Sequence, residues 1–146
     1  MDYEIAKEKA IKYIVVARKT EDEVRKKLKK IGFEDDIIDR VIMHLTKLDY
    51  INDFDYVDAY IRQCMRLLNY SIYEIKNKLL QKGIKKDIIE EKLQNLYETE
   101  YEEKIVQKLL NGKLKNMEIL KQKQYLYRRG FRCKIDISID EYEEEY

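Results

Sequence analysis

Apolar residues recur along this chain every three or four positions, which is the period of an amphipathic helix. Ala6, Ala10, Ile14 and Ala17 form one such stripe, and the spacing predicts a first helix over Ile5 to Arg18. Thr20 and Glu23 have the Ser/Thr-x-x-Glu form of a capping box, which opens a second helix carrying Val24, Leu28 and Ile31. A third helix carries Ile37, Val41, Leu45 and Leu48, with Asp35 and Asp36 in its first turn, where the helix dipole favours negative charge. Asn52 or Asp53 then caps a fourth helix with Phe54, Val57, Ile61, Cys64 and Leu68 on one face. Ser71 and Glu74 make a second capping box, followed by Ile72, Ile75 and Leu79, and a sixth helix carries Ile89, Leu93 and Leu96. The order of the first three helices is thus repeated in the next three.

One phrase marks the repetition: Leu, three intervening residues, Gly, then a large apolar residue. It reads Leu28 to Gly32-Phe33, Leu79 to Gly83-Ile84 and Leu126 to Gly130-Phe131, with the glycines 51 and 47 residues apart. A helix that stops on a left-handed residue favours Gly, which has no Cβ to clash. The pattern predicts an all-α chain of three tandem three-helix repeats, spanning 1–51, 52–98 and 99–146 and forming an elongated, curved array. In the third repeat, Tyr101, Ile105 and Leu109 mark a seventh helix that Gly112 ends. Asn116 is positioned to cap an eighth, in which Gln122 stands where the earlier repeats have Val or Ile. A ninth helix is expected over about 135–143, although Ile135 to Asp140 alternates with strand period.

Composition agrees with a helical chain, since there are no prolines and 40% of the residues are charged. No apolar run is long enough to span a bilayer, and Met1-Asp2-Tyr3-Glu4 does not open a signal peptide. A cytoplasmic protein with reduced Cys64 and Cys133 is expected, Cys64 in a core. The net charge of +1 hides a division: residues 136–146 hold six acidic side chains and no basic one, which leaves a body of 30 basic and 23 acidic groups. Such a body suits a polyanion or an acidic protein surface.

Catalytic patterns are sparse. His44 is the single histidine and falls between core positions of a helix; the glycines are isolated, so no phosphate loop is present. Asp35-Asp36 and Asp53 with Asp55 look like helix starts, with a two-metal carboxylate site as the weaker alternative. The sequence therefore predicts a non-enzymatic protein without a cofactor or metal. Its basic residues cluster near the repeated glycines and are the candidate partner-binding set: Arg18, Arg25, Lys26, Lys29 and Lys30 in the first repeat, Lys76 and Lys82 in the second, and Lys121, Lys123, Arg128, Arg129 and Arg132 in the third. If equivalent helices point one way, these charges form a stripe for phosphates or an acidic groove; the competing account is an ordinary solvated helix surface. Among thirteen tyrosines, Tyr13, Tyr60, Tyr97, Tyr101 and Tyr127 fall near apolar stripes and are expected at the core or its boundary. Tyr70, Tyr73 and Tyr125 fall beside polar positions and are candidates for stacking on bases or anchoring a partner.

The run Ala10, Tyr13-Ile14, Ala17-Arg18-Lys19-Thr20-Glu21-Asp22-Glu23-Val24-Arg25, Leu28, Gly32-Phe33 resembles the opening motif of the RecX family of bacterial RecA regulators. Leu48-Asp49-Tyr50-Ile51-Asn52-Asp53 with Tyr56-Val57, and Ile75, Leu79 and Lys82-Gly83-Ile84, resemble the same family; Tyr127-Arg128-Arg129-Gly130-Phe131 fits its C-terminal repeat. The resemblance covers about residues 8–135 and implies tandem three-helix repeats. It also implies binding in the groove of a RecA filament on single-stranded DNA, usually with inhibition, and no catalysis or cofactor. The rival expectations are a helical DNA-binding module acting without RecA, a scaffold for some other protein, and, third, a metal-dependent enzyme.

Overall fold

The computed structural model of the protein describes residues 2–133. Eight helices fill them: α1 (Asp2–Val16), α2 (Glu21–Ile31), α3 (Asp35–Lys47), α4 (Asp53–Leu67), α5 (Ile72–Gln81), α6 (Lys86–Tyr97), α7 (Tyr101–Asn111) and α8 (Ile119–Arg128). The expected ninth helix lies outside the described residues. Compactness groups the chain into two units. The first takes the residues up to Tyr60 together with Lys78–Ile89, and the second takes Ile61–Asn77 together with the residues from Glu90 on.

In the first unit α1, α2 and α3 pack on one another around Ala6, Ala10, Val24, Leu28, Ile38, Val41, Ile42, Leu45 and Ile51. The two alanines let α1 approach closely, and burying a side chain such as Leu28 or Leu45 stabilises the unit by ~2 kcal/mol each. The helix stripes are shifted in detail from the sequence expectation. Ala17 and Arg18 lie beyond the end of α1 and are exposed, because the chain turns at Ala17 to reach the cap of α2. Ile31, Leu48 and Phe54 are largely exposed as well, whereas Ile38, Ile42 and Tyr56 are buried in their stead. In α3 Val41 and Leu45 are buried as predicted, Ile38 and Ile42 widen the face toward the core, and Leu48 falls outside it.

The helix ends follow the sequence closely. Thr20 Oγ1 accepts the Glu23 N–H while Glu23 accepts the Thr20 N–H, and Ser71 and Glu74 exchange the same pair of bonds at the start of α5. Asn52 caps α4 by accepting the Asp55 N–H. Gly32, Gly83 and Gly130 adopt φ of 115°, 81° and 87°. In each turn the residue after Gly bonds back to the carbonyl of the buried Leu, 3.2 Å for Phe33 to Leu28, Ile84 to Leu79 and Phe131 to Leu126. The Gly N–H reaches the next carbonyl along, completing a Schellman motif three times. Gly112 is different: it follows α7 at φ −126°, outside the left-handed region.

In the second unit Ile72, Ile75, Leu93, Leu96, Tyr101, Ile105, Leu114, Leu126 and Phe131 are buried. Asn116 does not cap α8; Glu118 occupies the cap position and makes no side-chain cap bond. Gln122 is buried and donates from Nε2 to the Leu114 carbonyl at 2.7 Å, so it serves the α7–α8 loop where the earlier helices bury a branched apolar residue. Cys64 is buried as expected, and no helix among the described residues is long and apolar enough to cross a membrane.

Candidate partner-binding surface

The basic residues near the glycines divide into those held by acids and those left open. In the first unit Arg25 bridges Glu21 at 3.1 Å and Asp39 at 2.6 Å, which raises its pKa, mainly through the Asp39 bond. Lys26 pairs with Asp22 at 2.9 Å and Lys29 with Asp35 at 2.8 Å. Lys82 lies 3.8 Å from Glu23 and above the Tyr56 ring. Partial burial alone would lower the Lys82 pKa; the Tyr56 hydroxyl and Glu23 reverse the direction and raise it. Arg18 and Lys30 are exposed and make no ion pair with a described residue.

In the second unit Lys76 lies 3.7 Å from Glu90. Arg129 is drawn inward, bonding Glu74 at 2.7 and 3.2 Å and donating to the Asn69 carbonyl. Burial would raise the Glu74 pKa, but Arg129 and Ser71 outweigh it and the carboxyl is held below its usual range. Lys123 is half-buried with a partner of its own, while Lys121, Arg128 and Arg132 are exposed without an ion pair among the described residues. Tyr127, expected at the core boundary, is 74% exposed on α8 beside Arg128, and Tyr97 is also exposed; Tyr101 is the one of its group that is deeply buried. Tyr125, a stacking candidate, sits against Lys113 and Arg129, which lower its pKa, the Lys113 bond foremost. Among the described residues no group of His, Cys, Asp and Glu has the arrangement of a metal site.

Two of these cations belong to a device that the sequence reading missed. In the first unit the start of α2 grips the turn at Gly83. Thr20 Oγ1 donates to the Lys82 carbonyl at 2.7 Å, Glu23 faces the Lys82 ammonium, Asp22 lies over Gly83, and the Glu21 N–H donates to Asp53 at 2.9 Å. In the second unit the start of α5 grips the turn at Gly130 by the same contacts. Ser71 Oγ donates to the Arg129 carbonyl at 2.6 Å, Glu74 pairs with Arg129, Tyr73 lies over Gly130, and the Ile72 N–H donates to Glu102 at 2.8 Å. Thr20 and Ser71 stand twelve residues before Gly32 and Gly83, so the two latches are register equivalents. Each hydroxyl caps its own helix and also fills a carbonyl about sixty residues away. Asp53 is half-buried here, and burial raises its pKa despite the Glu21 N–H. Glu102 is buried and collects the N–H groups of Arg132 and Cys133 as well, and burial beside it pushes the Cys133 thiol up to about 11. The two identical capping boxes were the visible signal; their second set of bonds joins residues too far apart for periodicity to connect.

Residues 6–45 match the family model for the first three-helix domain of RecX, and residues 52–93 match the model for its second three-helix domain. A regulatory protein RecX of Prosthecochloris aestuarii is 33% identical over 84% of this chain and 83% of its own length. The chain belongs to the RecX family. Regulatory proteins RecX of Caldanaerobacter subterraneus subsp. tengcongensis and Streptococcus agalactiae are 33% and 39% identical over 86% and 84% of the chain. The matched stretch spans 64% and 49% of those two proteins, so both are longer than the aligned region. The crystal structure of RecX from Lactobacillus salivarius superposes with a TM-score of 0.79 at 29% identity, over 90% of this chain and 89% of that one. In this RecX-family chain the two latches occupy Lys82 and Arg129 with structural contacts.

Proposed function

We propose that this RecX-family chain is a non-enzymatic modulator, in the inhibitory direction, of a cytoplasmic RecA recombinase, and that it binds in the groove of the RecA filament on single-stranded DNA. Its three Gly turns are read as the ends of the second helices of three repeats, over 1–51, 52–98 and 99–146, stacked as an elongated, curved array. The observation that carries the reading is family membership joined to a specific set of open cations. Arg18, Lys30, Lys121, Arg128 and Arg132 are exposed without an ion pair among the described residues, and Tyr127 stands open beside Arg128. Such groups suit acidic or phosphate surfaces and a stacking contact. Arg25, Lys26, Lys29, Lys76, Lys82 and Arg129 take a lesser part, since their charge is already answered by neighbouring carboxylates. Lys123 completes the candidate set from its half-buried place on α8. Occupying the groove would hinder strand exchange and favour filament disassembly. The test is the ATPase rate of RecA on single-stranded DNA as the protein is titrated in: a falling rate with shorter filament lifetime is expected. Unchanged rate and lifetime, with steeply salt-dependent binding to naked DNA, would replace this reading with a DNA-binding module that acts without RecA.

A further inference from the structure

The two latches define a socket: a carboxylate at the start of one helix, the carbonyl just before a left-handed Gly, and open space above that Gly. A helix start with a hydroxyl cap fills it. By register, the first unit repeats the elements of this socket around Gly32. Gly32 has φ 115° and the same back-bonds to Leu28 and Lys29 as the other two turns. Asp2 stands thirty residues before Gly32, as Asp53 does before Gly83, and each is the first residue of its helix. Gly83 and Gly130 carry Asp22 and Tyr73 close above them, whereas nothing lies within 4 Å of the place a Cβ would take on Gly32.

We propose that the Gly32 turn is a docking socket for the first turn of a helix on a partner protein. The occupant's chemistry follows from the filled sockets. A Ser or Thr cap donates its hydroxyl to the Ile31 carbonyl, and its first helical N–H meets the Asp2 carboxylate. The third helical side chain falls on Ile31, which takes the place of Lys82 and Arg129 and is 44% exposed. That side chain is therefore apolar, where the internal latches use Glu.

Among the described residues, the equivalent helix starts of a second copy of this chain do not supply such an occupant. The 20–23 and 71–74 starts are both engaged. The corresponding residues of α8 are Glu118, Ile119, Leu120 and Lys121, with no hydroxyl to donate and Lys in place of Glu.

The probe is a stapled helical peptide opening Ser-Ile-Tyr-Leu, with a control opening Val-Ile-Tyr-Leu, titrated into the isotope-labelled full chain. Saturable amide shifts centred on Ile31, Gly32 and Phe33 are expected, with about tenfold weaker binding for the control, the cost of one lost hydroxyl bond beside an exposed carbonyl. Ile31→Lys should switch the preference to a peptide with Glu at the third helical position, and its exposed site leaves folding intact. Shifts at the Gly83 or Gly130 turns instead, none at millimolar peptide, or equal affinity for the two peptides would overturn the socket. Dimerisation of the chain through this face would overturn the choice of occupant.

Discussion

At Gly32, Gly83 and Gly130 one residue type meets one backbone demand under different surroundings. All three hold φ in the left-handed region, where a Cβ costs about 1–2 kcal/mol. At Gly32 that strain is the whole cost of Gly32→Ala, since the space above is open. At Gly83 a Cβ would fall 2.2 Å from the Asp22 Cβ, and at Gly130 2.7 Å from the Tyr73 Cβ. Those atoms sit next to the backbone and cannot swing aside. Gly83→Ala and Gly130→Ala should therefore lose roughly twice as much stability as Gly32→Ala, or more, in urea unfolding of the three variants. Equal losses would mean that the latches are looser than described.

Acid separates the two latches by the same reasoning. Glu74 is held below its usual range, so the stability it adds is complete above the ordinary glutamate pKa of about 4.3 and fades as pH falls through the lowered native value. Asp53 is raised by burial, so the native state holds its proton more tightly and its contribution has the opposite sign, favouring folding on the acid side and disappearing as pH rises through the raised value. Glu74→Gln should flatten the loss of stability between about pH 5 and 3, and Asp53→Asn should steepen it. Urea midpoints across that range, compared with the parent chain, measure both signs.

On the scale of helices, most of what the chain says locally is true locally. Thr20 with Glu23 and Ser71 with Glu74 announce α2 and α5, and the buried Leu before each Gly announces the stop. These signals are legible because each is written within one turn of helix. What periodicity misplaces is the face: Leu48, Tyr97 and Tyr127 keep helical spacing with the apolar set yet remain exposed, since spacing gives a stripe and packing decides its edges. The latches were illegible because Thr20 and Lys82, or Ser71 and Arg129, are brought together by folding alone. Thr20→Val keeps the shape of the side chain and removes both of its bonds. It should cost about 2–3 kcal/mol, a helix cap of about 1 plus a part-buried carbonyl left without its donor, where a cap by itself accounts for only about 1. A loss near 1 kcal/mol in equilibrium unfolding would assign Thr20 to capping alone.

For the molecule as a whole, charge is a better guide once pairs are separated from open groups. The candidate basic residues look alike in sequence, but Lys26 and Lys29 face Asp22 and Asp35 at under 3 Å, while Lys121 and Arg128 face solvent on α8. Phosphate binding releases counterions in proportion to the cations that reach the strand, and its logarithm falls with salt at about 0.7 per contact on single strands. A paired lysine must leave its carboxylate first, so it contributes less to affinity and to that slope. Under the filament binding proposed above, Lys121→Glu with Arg128→Glu should weaken association with a RecA filament by at least tenfold, and the salt dependence should become shallower by about one to two contacts. Lys26→Glu with Lys29→Glu changes net charge by the same amount and should weaken it only a fewfold. Titrating the two double variants against filaments at several salt concentrations compares position with charge directly. If both fall equally, binding responds to net charge alone, and the open residues of α8 hold no special place in it.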